Sequence, residues 1–166
     1  MSIIQELLIS NAAYAASFDR SQLASPPAKR LAVVACMDAR VTVEEILGLR
    51  TGDAHIIRNA GGVVTDDVIR SLIISYKLLG TREFLIINHT NCGMATFTDE
   101  ELQQRMAKEH GVDASQIHFH AFGDLRENVE AQVQKIRQSP FIPQAIPVHG
   151  LIFRVEDGRL EHVVSA

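Results

Sequence analysis

The stretch LAVVACMDAR, residues 31–40, decides how the fold of this chain is interpreted. It begins with a continuous apolar run, which is typical of a strand that is covered on both faces of a sheet. The run ends in Cys36, and a carboxylate (Asp38) and a guanidinium (Arg40) follow at two-residue steps. The only other cysteine, Cys92, closes the segment HTNC (residues 89–92) after a second apolar run. We therefore predict that two strand ends meet in one polar site.

The composition sets the broad class of protein. At 166 residues the chain is predicted to form one domain, residues 1–166, which is long enough to bury a core. A net charge of −4 with scattered basic residues gives no electrostatic footprint for nucleic acid. No apolar run approaches the roughly 20 residues of a membrane span, and the N-terminus lacks the basic region of a signal peptide. We expect a cytoplasmic protein that uses its cysteines as thiolates or metal ligands rather than as a disulfide.

Strand-like and helix-like segments alternate along the chain. This predicts an α/β fold of three layers, with a mainly parallel central sheet and helices on both faces. Strands are expected at residues 30–36, 54–58, 84–89 and 148–155, with an antiparallel C-terminal edge strand at 160–164 after an Asp-Gly turn. Helices are expected at 41–49, 66–79, about 99–111 and about 125–138. In such folds ligands bind beyond the carboxyl ends of the strands, where Cys36 and Cys92 are predicted to lie.

The first 28 residues are predicted to form an N-terminal helical arm. Residues 2–18 place apolar side chains at helical spacing, which predicts an amphipathic helix that ends before Pro26 and Pro27. The apolar stripe of this helix needs a surface, either on its own domain or on a second subunit. We favour the second subunit of a dimer.

Cys36, His89 and Cys92 are the candidate metal ligands. Two thiolates and one imidazole suit zinc, and three protein ligands leave the fourth tetrahedral position open, as in catalytic zinc sites. Taken singly, Cys36 is more typical of a buried small apolar residue and His89 of a core histidine with its hydrogen bonds satisfied. Their joint occurrence at one predicted sheet edge favours a zinc site.

Asp38 and Arg40 give the predicted zinc site a catalytic group. A bidentate pair with Arg40 would hold Asp38 ionised, oriented and away from the metal, so that Asp38 accepts a hydrogen bond from zinc-bound hydroxide. If the pair broke, Asp38 would become the fourth ligand in a closed resting form. Alone, the two residues would be an ordinary surface ion pair. A cysteine phosphatase is excluded, because such loops need about five residues between the cysteine and the arginine to wrap an oxyanion.

Three segments together resemble a known family. CMDAR (36–40), RNAGG (58–62) and HTNCGM (89–94) are similar to the signature segments of β-class carbonic anhydrases, and in length the chain resembles their short bacterial and archaeal branch. The resemblance extends from Leu31 to Val155. It implies one zinc ion per chain on Cys36, His89 and Cys92, with Asp38 and Arg40 as the catalytic dyad.

The resemblance also implies an activity and an assembly. The expected reaction is reversible hydration of carbon dioxide to bicarbonate and a proton, by attack of zinc hydroxide in an apolar pocket to which the backbone at Gly61 and Gly93 contributes. The expected assembly is a homodimer or tetramer in which the N-terminal helix embraces the neighbouring subunit. His110, His118 and His120 are candidates for proton transfer to buffer.

Two alternatives stay open at this stage. The first is a carbonyl sulfide or carbon disulfide hydrolase with the same fold and zinc ligands, and the second is a non-catalytic, zinc-stabilised dimeric module. The chain has no tryptophan, so it lacks the tryptophan-containing bicarbonate inhibition site of some bacterial relatives. Nor do its motifs supply the pocket glutamine of plant-like members.

Overall fold

Five strands form one sheet at the centre of the computed structural model, which describes residues 1–166. The strands are β1 (Leu31–Cys36), β2 (Ala54–Asn59), β3 (Glu83–His89), β4 (Val148–Phe153) and β5 (Leu160–Ser165). Their order is β2-β1-β3-β4-β5, with only β5 antiparallel to its neighbour. The predicted mainly parallel sheet with an antiparallel C-terminal edge strand is therefore confirmed.

Five helices connect or flank the strands. They are α1 (Ile3–Ala16), α2 (Val43–Leu47), α3 (Asp66–Leu79), α4 (Asp99–His110) and α5 (Leu125–Arg137). Thr65, Thr98 and Asp124 accept hydrogen bonds from the first turns of α3, α4 and α5, as expected of N-cap side chains. None of these helices combines the length and the apolar composition that a membrane span requires.

The central strands bury both of their faces. Ala32 and Val34 of β1 point into a core that includes Leu72 of α3 and Val133 of α5. The intervening residues of β1 pack against a second core on the opposite face, which includes Val43 of α2. This alternation explains the continuous apolar sequence of β1, because each face needs its own apolar side chains.

Helix α2 and strand β4 are two residues or more shorter than predicted. Helix α2 covers Val43–Leu47 rather than residues 41–49, because the chain first turns with a Val41 N–H bond to the Asp38 carbonyl and the helix stops at Gly48 in the left-handed region. Strand β4 ends at Phe153 rather than at 155, where the chain enters the turn before β5.

Helix α1 forms as predicted, but its amphipathic character was predicted wrongly. None of its 14 residues is buried, and the exposed Ile9 extends the apolar surface outside the predicted stripe. Apolar side chains therefore lie on most sides of the helix rather than on one face. The helix does not lie on its own domain, which removes one of the two surfaces considered for it.

Candidate metal centre

The sheet topology brings the two ligand-bearing segments together. Strands β1 and β3 are parallel neighbours with Ala35 opposite Ile87, and Cys36 and His89 are their last residues. The chain reverses its direction of progress across the sheet between these two strands. In doubly wound folds this switch point is where ligands bind.

Cys36, His89 and Cys92 form one buried cluster of donor atoms. The two sulfurs are 4.0 Å apart, and the ligand atoms of all three residues lie within 4.8 Å of one another. Two sulfurs at about 2.3 Å from a tetrahedral zinc ion would be roughly 3.8 Å apart. The residues are only 4%, 1% and 5% exposed, respectively. The spacing of the two sulfurs therefore fits zinc.

The ring of His89 is oriented for a metal. Its Nδ1 lies 2.8 Å from the carbonyl oxygen of Thr90 and donates to it, which leaves the Nε2 lone pair free. That Nε2 is buried and has no hydrogen-bond partner. Since a buried polar atom without a partner is costly, Nε2 has the environment of an atom that needs a ligand.

The two cysteines titrate as a pair. The contact between the two sulfurs lowers the pKa of Cys36 below its usual value, aided by the nearby His89 and the backbone of Asp38 and Gly61. The same contact raises the pKa of Cys92 above its usual range. Since zinc binds thiolates, both cysteines would be deprotonated when they hold the metal.

Asp38 is held in a fixed orientation beside this cluster. Arg40 Nε donates to Asp38 Oδ1 at 2.9 Å, Arg40 Nη2 donates to Oδ2 at 2.7 Å, and the Arg40 backbone N–H donates to Oδ1 at 2.9 Å. Asp38 Oδ2 lies 3.6 Å from His89 Nε2. The Arg40 bonds hold the pKa of Asp38 well below its usual range. The carboxylate is therefore ionised and accepts hydrogen bonds only.

A second arginine fixes the turn that carries Asp38. Arg58 Nε donates to the Cys36 carbonyl at 3.0 Å, and Arg58 Nη2 donates to the Asp38 carbonyl at 2.7 Å. Sequence reasoning missed this role, although Arg58 stands in one of the three segments singled out.

The turn between β4 and β5 is linked to Arg40 through hydrogen bonds to residues 90 and 91. Glu156 accepts hydrogen bonds from Thr90 Oγ1 and Asn91 Nδ2, each at 2.7 Å. Asn91 has φ of 53°, a left-handed conformation that asparagine tolerates, and its carbonyl accepts from Arg40 Nη2 at 3.1 Å. Sequence reasoning missed Glu156, because only the fold brings that turn to the end of β3.

The two glycines predicted in the pocket wall lie in different settings. Gly61 is buried with φ of 80°, whereas Gly93 is exposed. A cavity of about 350 Å³ opens beside His89 and Cys92, and Phe122 and Leu125 contribute to its wall. Neither glycine lines this cavity, so their role at the substrate stays a prediction.

The three histidines proposed for proton transfer lie outside this cavity. His118 and His120 line a separate cavity of about 710 Å³, together with Lys135, and His110 ends α4. The structure brings none of them into contact with the donor cluster.

Comparisons with known proteins agree with this geometry. A family model described as carbonic anhydrase matches residues 31–160. Beta-carbonic anhydrase 1 of Mycobacterium tuberculosis strain H37Rv is 43% identical over 163 residues, 98% of this chain and 99% of that protein. A crystal structure of carbonic anhydrase from Streptococcus mutans covers 99% of both chains with a TM-score of 0.94 and 43% identity. A carbon disulfide hydrolase of Acidithiobacillus thiooxidans is 37% identical, over 85% of this chain and 80% of that protein.

Proposed function

The chain belongs to the β-carbonic anhydrase family, and we propose that Asp38 and Arg40 are its catalytic dyad. The protein is a zinc enzyme that catalyses the reversible hydration of carbon dioxide to bicarbonate and a proton. Cys36, His89 and Cys92 hold one zinc ion per chain. The observation that carries this assignment is the buried, unpartnered Nε2 of His89 within 4.8 Å of both sulfurs.

The three ligands and the dyad have separate tasks in this proposal. When bound, zinc acidifies a water molecule and so supplies the nucleophile for carbon dioxide. Asp38 accepts a hydrogen bond from the attacking water and thereby orients it. Arg40 keeps Asp38 ionised and directs its Oδ2 toward the side of the cluster where His89 Nε2 lies, 3.6 Å away. The apolar walls near Phe122 and Leu125 suit an uncharged, linear substrate.

A closed resting form remains an alternative arrangement of the same residues. In it Asp38 would become the fourth ligand, and Arg40 would have to give up the bidentate pair. The three hydrogen bonds from Arg40 to Asp38 favour the open arrangement.

Replacement of a ligand tests the metal assignment. Cys92→Ser should reduce bound zinc from one ion per chain to near zero and abolish carbon dioxide hydration, because serine does not supply a thiolate. His162→Ala, on the exposed side of β5, is the matched control and should keep both zinc and activity. Zinc that stays bound to the Cys92→Ser protein would contradict the assignment.

Hydrolysis of carbon disulfide is the second candidate activity, because carbon disulfide hydrolases are among the similar proteins. Carbon dioxide hydration and hydrogen sulfide release from carbon disulfide should be measured on the same zinc-loaded sample. We expect fast hydration and little hydrogen sulfide. The opposite pattern would reassign the substrate while leaving the zinc site intact.

We propose a homodimer in which α1 covers a neighbouring subunit. The support is the helix itself, which has no buried residue although Ile3, Leu7 and Leu8 are apolar. A contiguous apolar surface of this kind is typical of an interface. Further pairing of dimers into a tetramer would not change the ligand set.

We also propose that the protein works in the cytoplasm. Both cysteines are free, and their sulfurs are 4.0 Å apart. Oxidation to a disulfide would remove two of the three zinc ligands, and a reducing compartment prevents it.

A further inference from the structure

Three buried amide side chains connect α5 to the loop beside the metal centre. The backbone N–H of Val64 donates to Gln132 Oε1 at 2.8 Å, and Gln132 Nε2 donates to Asn128 Oδ1 at 2.7 Å. Asn128 Nδ2 then donates to Asn88 Oδ1 at 2.8 Å. Asn88 Nδ2 donates to the carbonyl oxygens of residues 61 and 62 at 2.9 and 3.2 Å. We call this chain of hydrogen bonds the amide relay.

The two ends of the amide relay fix the orientation of every amide in it. At one end the Val64 N–H can only donate, and at the other end the two carbonyl oxygens can only accept. If Asn88, Asn128 or Gln132 flipped, it would place donor against donor or acceptor against acceptor. All three side chains are buried, so water does not replace a lost bond. The relay therefore has one arrangement.

The loop that the amide relay holds is packed directly against a zinc ligand. Gly61 and Gly62 have φ of 80° and 60°, and both of their carbonyl oxygens face Asn88 Nδ2. A Cβ on Gly62 would lie 2.8 Å from the Cys36 backbone nitrogen, so the loop and the end of β1 are in close contact. A Cβ on Gly62 would also lie 2.9 Å from Asn88 Nδ2, so the loop is packed between the amide relay and the end of β1.

We propose that Asn88, Asn128 and Gln132 are positioning residues, which set the direction of the Cys36 sulfur toward zinc by holding residues 61–62 against it. None of the three is a zinc ligand, and they act through the glycine loop. The inference rests on the proposed zinc centre. A role confined to core stability would fasten α5 to β3 and would leave the properties of the bound metal unchanged.

Asn128→Leu tests the amide relay from its middle. Leucine has a similar size but no polar atoms, so Asn88 loses its hydrogen-bond donor and can turn away from the loop. The matched control is Val129→Ala, which creates a cavity at the next residue of α5, also fully buried, without touching an amide of the relay. Each protein is loaded with zinc for competition against a chelator and with cobalt(II) for absorption spectroscopy, and its thermal unfolding is recorded.

A positioning role of the amide relay and a role confined to core stability predict different results. We expect the zinc dissociation constant of Asn128→Leu to rise about tenfold, as for other groups that orient a ligand, with a changed thiolate-to-cobalt band. Val129→Ala should unfold at a lower temperature but keep the wild-type zinc affinity and cobalt spectrum. Wild-type affinity and spectrum in Asn128→Leu would overturn the proposal.

A second variant keeps the test decisive if Asn128→Leu does not fold. Gln132→Leu leaves the bond between Asn128 and Asn88 in place and removes only the far end of the amide relay. We expect a smaller rise in the zinc dissociation constant, about threefold. An unchanged constant would overturn the proposal, whereas failure of the wild-type chain to bind zinc would overturn the proposed function as well.

Discussion

The metal centre and helix α1 differ in whether a single chain supplies all the contacts that each of them needs. At the centre, three ligand atoms lie within 4.8 Å of one another, and the fold of a single chain supplies all of them. Helix α1 has 14 residues and buries none of them. The comparison indicates that the zinc ligands need no second chain, whereas α1 needs another surface to cover its apolar side chains.

The largest expected effect tests whether the centre and its dyad work as one unit. Asp38→Ala should lower carbon dioxide hydration about a hundredfold, within the range for a positioned group that handles a proton, while zinc stays bound. Asp67→Ala is the matched control, because Asp67 also pairs with an arginine, Arg70, but on the surface of α3. Stopped-flow hydration and zinc analysis measure both outcomes, and unchanged hydration in Asp38→Ala would remove the dyad assignment.

The next prediction concerns helix α1 and its uncovered apolar side chains. Leu8→Glu places a charge on the exposed apolar surface of α1, so association of subunits should weaken about tenfold or more, the value of one buried leucine. Sedimentation at several concentrations measures the effect. Ser10→Glu adds the same charge next to Glu6, on the opposite side of the helix from Leu8, and should leave association unchanged. A monomeric wild-type protein would show that α1 is not covered by a second copy.

A smaller effect is expected where the β4–β5 turn supports the centre. Glu156→Ala removes the acceptor for Thr90 and Asn91, so the Asn91 carbonyl should hold Arg40 less firmly. We expect kcat to fall about fivefold, less than for a group that contacts a ligand directly, with KM and zinc content unchanged. Arg159→Ala, in the same turn, is the control. Equal kcat in the two variants would show that the turn does not act on the dyad.

The smallest predicted effect concerns residues 112–123, which form neither a helix nor a strand. Three backbone N–H groups of this segment donate hydrogen bonds to the side chain of Asp99. Burial raises the pKa of Asp99, but backbone N–H bonds from Ala121, His120 and Phe119 outweigh it and hold that pKa below its usual value. The carboxylate therefore contributes stability above the unfolded pKa of about 3.9, and this contribution is lost as pH falls through the folded pKa.

Asp99→Asn is the variant that tests this pH dependence. At pH 7 its free energy of unfolding should be about 1 kcal/mol lower than that of the wild type, because the amide cannot accept all three bonds. The difference should be smaller in urea unfolding at pH 3, because pH 3 lies below the unfolded pKa of about 3.9 and part of the carboxylate's contribution is already lost there. A difference that stays constant between the two pH values would contradict this account.

The sequence alone predicted those features whose residues lie close together in the chain. Cys36, Asp38 and Arg40 fall within five residues, and the structure brings them together with His89 and Cys92. The capped helices α3 and α4 were predictable for the same reason, because Thr65 and Thr98 act within one helical turn.

Long-range polar contacts were not predictable. Asn128 lies 40 residues from Asn88, and Gln132 lies 68 residues from Val64. An isolated asparagine or glutamine on a helix is read as a solvated residue, and only the packing of α5 on the sheet buries these two. For α1, helical spacing predicted the helix and left two possible surfaces for its apolar side chains; the structure shows that the rest of the chain buries none of them.

Titration of the metal-free protein with zinc, followed by stopped-flow carbon dioxide hydration, tests the central claim most directly. If Cys36, His89 and Cys92 form the catalytic centre, activity should rise in proportion to added zinc and stop rising at one ion per chain. Hydration by the metal-free protein, or a fully zinc-loaded protein that does not hydrate carbon dioxide, would contradict the account.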